Sequence, residues 1–133
     1  MSKVVLDASA LLALIHREPG QERVADALVE SVISAVNFAE VIGKLAERGV
    51  PQDRAKAVAL SFGVEVVPLD RDIAAKAGQL RPSTRSSGLS LGDRCCLATA
   101  MTLGLPALTA EAAWEPLADI LGVEVRNIRP RGH

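Results

Sequence analysis

The chain has 133 residues, of which 49% are hydrophobic and 23% charged, with a formal net charge of −1. This is the composition of one globular domain, and it excludes a disordered chain or a fibrous repeat. The near-neutral balance, with only Phe38, Phe62 and Trp114 as aromatic residues, excludes a protein that holds nucleic acid through a basic, base-stacking surface.

Residues 3–6 read as a short buried strand stopped by Asp7, an apolar run too short for a signal peptide. Ser9 is placed to cap a helix over 10–16, which Pro19-Gly20 breaks. Residues 21–29 suit a second short helix, and Val32-Ile33 a second strand. Phe38, Val41, Ile42 and Leu45 recur at helical spacing over 37–47. Gly49 stops that helix, and Pro51 opens another that ends at Gly63. Residues 64–69 form a valine-rich strand, after which Asp70 caps a helix over 71–80.

Residues 81–90, with Pro82, Gly88 and several hydroxyl side chains, read as a long loop. Gly92-Asp93 opens a helix that runs to Leu103, with Gly104 as its stop. A strand over 106–108, a weaker helix over 112–121 and a last strand over 123–126 complete the domain. The tail from about residue 127, with Arg129, Arg131 and His133, is expected to fray. Strands alternate with helices throughout, which predicts one α/β domain over 1–133 with a parallel sheet covered on both faces. No run approaches the roughly 18 apolar residues of a membrane span. Cys95 and Cys96 are neighbours that cannot form an ordinary disulfide, so a soluble, cytoplasmic protein is expected.

Ligands of open parallel sheets bind outside the carboxyl ends of the strands. Asp7 follows the first strand and Glu111 follows Leu108, while Glu40 and Asp93 lie on helices. Each acid also has a plain explanation. Asp7 suits a helix cap, Asp93 favours a helix dipole, and Glu111 alone would be a solvated first-turn acid. Glu40 is the exception, because a lone carboxylate within the apolar stretch 36–42 is costly to bury unless paired or metal-bound. Were the four to converge at ~5 Å, each like-charge pair would cost about 3 kcal/mol at an effective dielectric of ~20. A divalent cation removes most of that cost. With His16 and His133 the only imidazoles, the all-oxygen set suits Mg²⁺ or Mn²⁺ and not zinc.

No Gly-rich nucleotide fingerprint is present. An aspartyl-phosphate phosphatase would need Asp where Ser9 stands, and a receiver domain would need paired acids at the first strand.

Four segments in order are more telling than any one residue. They are Val4-Val5-Leu6-Asp7-Ala8-Ser9-Ala10, Ser34-Ala35-Val36-Asn37-Phe38-Ala39-Glu40-Val41, Leu89-Ser90-Leu91-Gly92-Asp93 and Leu108-Thr109-Ala110-Glu111-Ala112-Ala113-Trp114. With them the chain resembles the PIN-domain ribonucleases, in particular the VapC-type toxins of toxin–antitoxin pairs. The resemblance implies a three-layer domain whose central parallel sheet is flanked by helices, with an acidic cluster at one end. It implies metal-ligand roles for Asp7, Glu40 and Asp93, with Ser9 and Thr109 as supporting hydroxyls. Glu111 stands where the family usually has Asp, and its extra methylene shifts the carboxylate or makes it an outer ligand. Glu115 and Asp72 are rivals for that place.

The implied reaction is Mg²⁺- or Mn²⁺-dependent hydrolysis of RNA phosphodiesters. The implied partners are RNA, a cognate antitoxin that folds on binding, and a second copy in a homodimer, without a membrane. Arg94, Arg81 and Arg85 are candidate RNA contacts, each also readable as a solvated residue. Trp114 reads as core, and the two cysteines as inert helix-packed residues. The competing reading is a catalytically weak PIN-like module that only binds RNA or a partner protein.

Overall fold

Val4, Val5 and Leu6 are all buried, as a strand must be when helices cover both faces of its sheet. They form β1 (Val4–Leu6) at the centre of a five-stranded parallel sheet in the computed structural model, which describes residues 3–129. The other strands are β2 (Ser31–Ser34), β3 (Glu65–Val67), β4 (Ala107–Thr109) and β5 (Val125–Asn127), in the order β3-β2-β1-β4-β5. The chain builds outward from β1 to β2 and β3, then crosses to the far side of β1 for β4 and β5. That reversal makes a topological switch point between β1 and β4, the place at the carboxyl ends where open parallel sheets generally bind their ligands.

The helices are α1 (Ala8–Ile15), α2 (Gln21–Ala27), α3 (Ala35–Glu47), α4 (Gln52–Leu60), α5 (Arg71–Gln79), α6 (Arg81–Thr84), α7 (Leu91–Leu103) and α8 (Leu117–Leu121). Alternation along the strands divides the core in two. Val4 and Leu6 join Ile33 and Leu108 under Leu11, Val24, Val41 and Ala55 of α1 to α4. Val5 joins Val32 and Ala107 on the opposite face, under Ile73 of α5 and Cys95, Cys96 and Leu97 of α7. The expected three-layer α/β architecture is therefore present. Among the described residues no helix is long and apolar enough to cross a membrane.

Several boundaries differ from the sequence reading, each for a local reason. Asp7, not Ser9, caps α1: its backbone is extended and its side chain accepts from the Ala10 N–H. Residues 81–90 are not one loop. Pro82 sits in the first turn of α6, the Thr84 hydroxyl donates to the Leu80 carbonyl at 2.8 Å, and Arg85–Ser87 continue as a 3₁₀ turn. Residues 28–30 also form a 3₁₀ turn instead of extending α2. The helix expected over 112–121 splits at Pro116 into a 3₁₀ turn, Ala112–Trp114, and α8.

The chain does not fray at residue 127. Asn127 ends β5, Ile128 is buried, and Arg129 donates to the Pro19 carbonyl at 2.9 Å and pairs with Glu18. Arg131 and His133 lie outside the described residues.

Candidate active site

Asp7 is the first residue beyond β1, at the switch point, and is only 2% exposed. Its Oδ1 accepts from the Ala10 N–H and the Ser9 hydroxyl, both at 2.8 Å. Oδ2 accepts from Ser9 at 2.9 Å and from the Thr109 hydroxyl at 2.6 Å. Thr109 ends the neighbouring strand β4, so the parallel pairing of β1 with β4 brings the two together across 102 positions of sequence.

The direction of these bonds is dictated by the backbone. The Ser9 oxygen already accepts from the Ala110 N–H and the Thr109 oxygen from the Glu111 N–H. Each hydroxyl proton is thereby left for Asp7. Burial nevertheless dominates and lifts the Asp7 carboxyl from 3.8 to about 7. The bonds from Thr109, Ala10 and Ser9 work against that rise, and the nearby charge of Asp93 adds to it.

Glu40 comes from the second turn of α3. Ser34 caps this helix, and its side chain accepts from the Asn37 N–H at 3.1 Å. Asn37 then donates from Nδ2 to Glu40 Oε1 at 2.8 Å and to the Gly92 carbonyl at 3.0 Å. The Glu40 carboxylate lies directly against Gly92, where a Cβ would stand 2.5 Å from Oε1. Gly92 precedes Asp93 in the first turn of α7. Asp93 belongs to a capping box with Ser90, accepting from the Ser90 N–H at 3.0 Å through Oδ2.

The three carboxylates share one neighbourhood. Besides the action of Asp93 on Asp7, the buried Cys96 thiol one turn further along α7 feels all three. Burial raises it first, and the charges of Asp7, Asp93 and Glu40 raise it further. None of the ion pairs found among the described residues involves these acids.

They do not form a closed cage. Among the described residues no three His, Cys, Asp or Glu side chains are drawn together tightly enough to hold a metal ion. Asp93 is turned toward Ser90, Glu40 toward Asn37, and Asp7 toward Ser9 and Thr109. The chemistry of the donors still fits a hard divalent cation, since they are carboxylate oxygens that none of the ion pairs among the described residues involves.

The remaining candidates separate. Glu111 is exposed, and what ties it to the site is its backbone N–H on Thr109, not its carboxylate. Glu115 and Asp72 are exposed as well. Arg81 and Arg85 are exposed, on α6 and the following 3₁₀ turn.

Arg94 is neither a solvated residue nor placed as a surface phosphate contact. It is 6% exposed, and its Nη1 donates to the Ala77 carbonyl at 3.0 Å, tying α7 to α5. Trp114 is fully buried, and both cysteines are buried and in no disulfide, in keeping with the sequence reading. Asn37 and Gly92 escaped that reading. The signal for Asn37 was the spacing Ser34-x-x-Asn37-x-x-Glu40, which stacks three polar side chains on one helical face.

A small three-layer α/β domain with carboxylates gathered at the switch point of a parallel sheet defines a class of site suited to divalent-cation chemistry. Within that class, residues 4–119 match the PIN domain, and the chain belongs to the PIN domain family. A comparison with curated proteins finds no match.

Among solved structures, the fold is similar to that in a toxin-antitoxin complex from Klebsiella pneumoniae. The two are 23% identical over 95% of this chain and 98% of that one, with a TM-score of 0.71. It is also similar to that in a DNA-bound VapBC complex from Salmonella typhimurium, at 23% identity over 96% and 99% of the chains and a TM-score of 0.72. The VapBC-1 complex of nontypeable Haemophilus influenzae shows the likeness again, at 20% identity over 94% and 97% of the chains and a TM-score of 0.68.

Proposed function

We propose that this PIN domain is a divalent-metal-dependent endoribonuclease and the toxin of a type II toxin–antitoxin pair. The observation that carries the reading is the set Asp7, Glu40 and Asp93 near the β1–β4 switch point, whose charges act together on the Cys96 thiol and, for Asp93, on Asp7, with none of the ion pairs among the described residues involving them. Asp7, Glu40 and Asp93 would hold Mg²⁺ or Mn²⁺, with Glu111 as an outer acid. The bound ion supplies Lewis-acid and charge-stabilising chemistry at an RNA phosphodiester.

The chain's own contribution is preorganisation. Ser9 and Thr109 hold both oxygens of Asp7 in one orientation. With its carboxyl near 7, Asp7 is poised to lose its proton when positive charge arrives. Asn37 holds Glu40, and the capping box anchors Asp93 on the rigid first turn of α7. Arg81 and Arg85, exposed on α6 and the following 3₁₀ turn, would steer an RNA backbone without reading its sequence. A cognate antitoxin as partner is supported by the similar folds, which occur in toxin–antitoxin and VapBC complexes. A homodimer and a cytoplasmic site of action complete the proposal.

The test is cleavage of RNA by the purified chain with Mg²⁺ or Mn²⁺, with EDTA, and in Asp7→Asn and Asp93→Asn. Cleavage stops with EDTA and returns with either metal, and both variants fold but do not cleave. Cleavage that survives chelation, or full activity in Asp7→Asn, contradicts the proposal. RNA binding without turnover at saturating metal identifies the chain as a binding module instead.

A further inference from the structure

Asn37 is buried, and every polar atom of its side chain is engaged. Oδ1 accepts from the Ser34 hydroxyl, and Nδ2 donates both to Glu40 Oε1 at 2.8 Å and to the Gly92 carbonyl at 3.0 Å. The orientation of the amide follows from its neighbours. The Ser34 oxygen accepts from the Asn37 N–H, so its proton goes to Oδ1. Reversing the amide would set Oδ1 against a carboxylate and a carbonyl, two acceptors with nothing to share.

One amide thus joins the Glu40 carboxylate on α3 to the backbone of the α7 turn that carries Asp93. From the other side, Gly92 leaves room for that carboxylate. A Cβ there would meet the Glu40 carboxylate atoms at 2.5 to 2.6 Å. Glu40 is therefore fixed by a donor on one side and by a missing side chain on the other.

We propose that Asn37, oriented by Ser34, is a positioning residue that holds Glu40 in the cradle of Gly92 and so sets its placement relative to Asp93. The inference deepens the function proposed above and rests on it. Partners one step behind metal-binding side chains typically matter by about 10- to 100-fold in metal affinity or activity.

The experiment compares the full chain with Asn37→Ala, Gly92→Ala, Glu40→Gln and the double variant Asn37→Ala/Glu40→Gln. Mn²⁺ affinity is read by calorimetry, and kcat and KM on a short RNA. Asn37→Ala weakens Mn²⁺ binding and lowers kcat by about 10- to 100-fold, with KM for RNA unchanged. In the Glu40→Gln background it costs nothing further, because its action passes through Glu40. Gly92→Ala, which keeps Asn37, shows the same loss and covers the case in which Asn37→Ala does not fold.

A third reading uses the metal-free chain. One Asn37 side-chain amide proton exchanges slowly by NMR, and Glu40→Ala releases it. Wild-type Mn²⁺ affinity and kcat in Asn37→Ala, losses that simply add in the double variant, or an amide proton already in fast exchange overturn the inference alone. A wild-type chain that neither binds Mn²⁺ nor cleaves RNA overturns the proposed function and this inference with it.

Discussion

Asp7 caps α1 and carries the most perturbed carboxyl of the site, and the two roles pull its ionisation in opposite directions. The bonds from Thr109, Ala10 and Ser9 favour the anion, while burial opposes it and prevails. An acid at about 7 in the fold and near 3.8 when unfolded binds its proton more tightly in the native state. Its stabilising contribution is complete below about pH 3.8 and is lost as the pH rises through 7. The shift corresponds to a loss on the order of 4 kcal/mol above pH 7.

Asp7→Asn, neutral at every pH, is therefore predicted to be more stable than wild type at pH 8 without metal. The advantage disappears near pH 4, and urea unfolding at the two pH values checks it. Equal stability at pH 8 would show that the carboxylate is not strained by burial. Glu40 illustrates what residue types alone convey. The apolar stretch around it suggested a buried carboxylate, whereas Glu40 is half-buried, and that Asn37 and Gly92 hold it depends on the approach of α3 to α7, which no local pattern encodes. Arg94 was misread for the same reason, since an arginine beside a candidate ligand looks exposed until α5 is packed over it.

Among the elements, α7 shows why some of this was nonetheless legible. Gly92 and the residues from Arg94 to Ala100 are all buried, so the helix runs through the interior with only its ends in solvent. The small-residue run Cys95-Cys96-Leu97-Ala98-Thr99-Ala100 foreshadows that close packing. Its start is specified by Ser90, whose side chain accepts from the Asp93 N–H at 3.2 Å. Ser90→Ala is predicted to cost about 1 kcal/mol of stability by loss of the cap. It should also weaken divalent-cation binding, because the first turn then frays and Asp93 with it. A thermal melt and a Mn²⁺ titration measure the two effects, and unchanged metal affinity would separate the cap from the site.

The strand β1 and the helix α3 were readable from period and composition. The start of α1 was not, because Asp7 and Ser9 are both good caps and only the extended backbone at Asp7 decides between them. Residues 81–90 failed in the other direction. Proline, serine and glycine suggest a loop, but Pro82 is tolerated in a first helical turn and Thr84 is buried and bonded to Leu80.

For the whole molecule, alternation of strands and helices pointed to a parallel sheet, while the strand order came only with the structure. That order places β4 beside β1 and thus Thr109 beside Asp7, completing a site that composition could only suggest. Under the proposed function, cation binding would be a property of the folded chain, so metal and stability would be linked. At a free Mn²⁺ concentration 100-fold above its dissociation constant, the native state gains about 2.7 kcal/mol. The melting temperature of wild type is predicted to rise accordingly, while those of Asp7→Asn and Asp93→Asn stay where they are. An equal rise in all three would mean that the ion binds elsewhere.

The most direct test is diffraction from crystals soaked in Mn²⁺, recorded at the manganese absorption edge. An anomalous peak bounded by the carboxylates of Asp7, Glu40 and Asp93, with Asp93 turned from Ser90 toward the ion, is the predicted result. A fully soaked crystal with no peak there, or with manganese bound only at other acids, would contradict it.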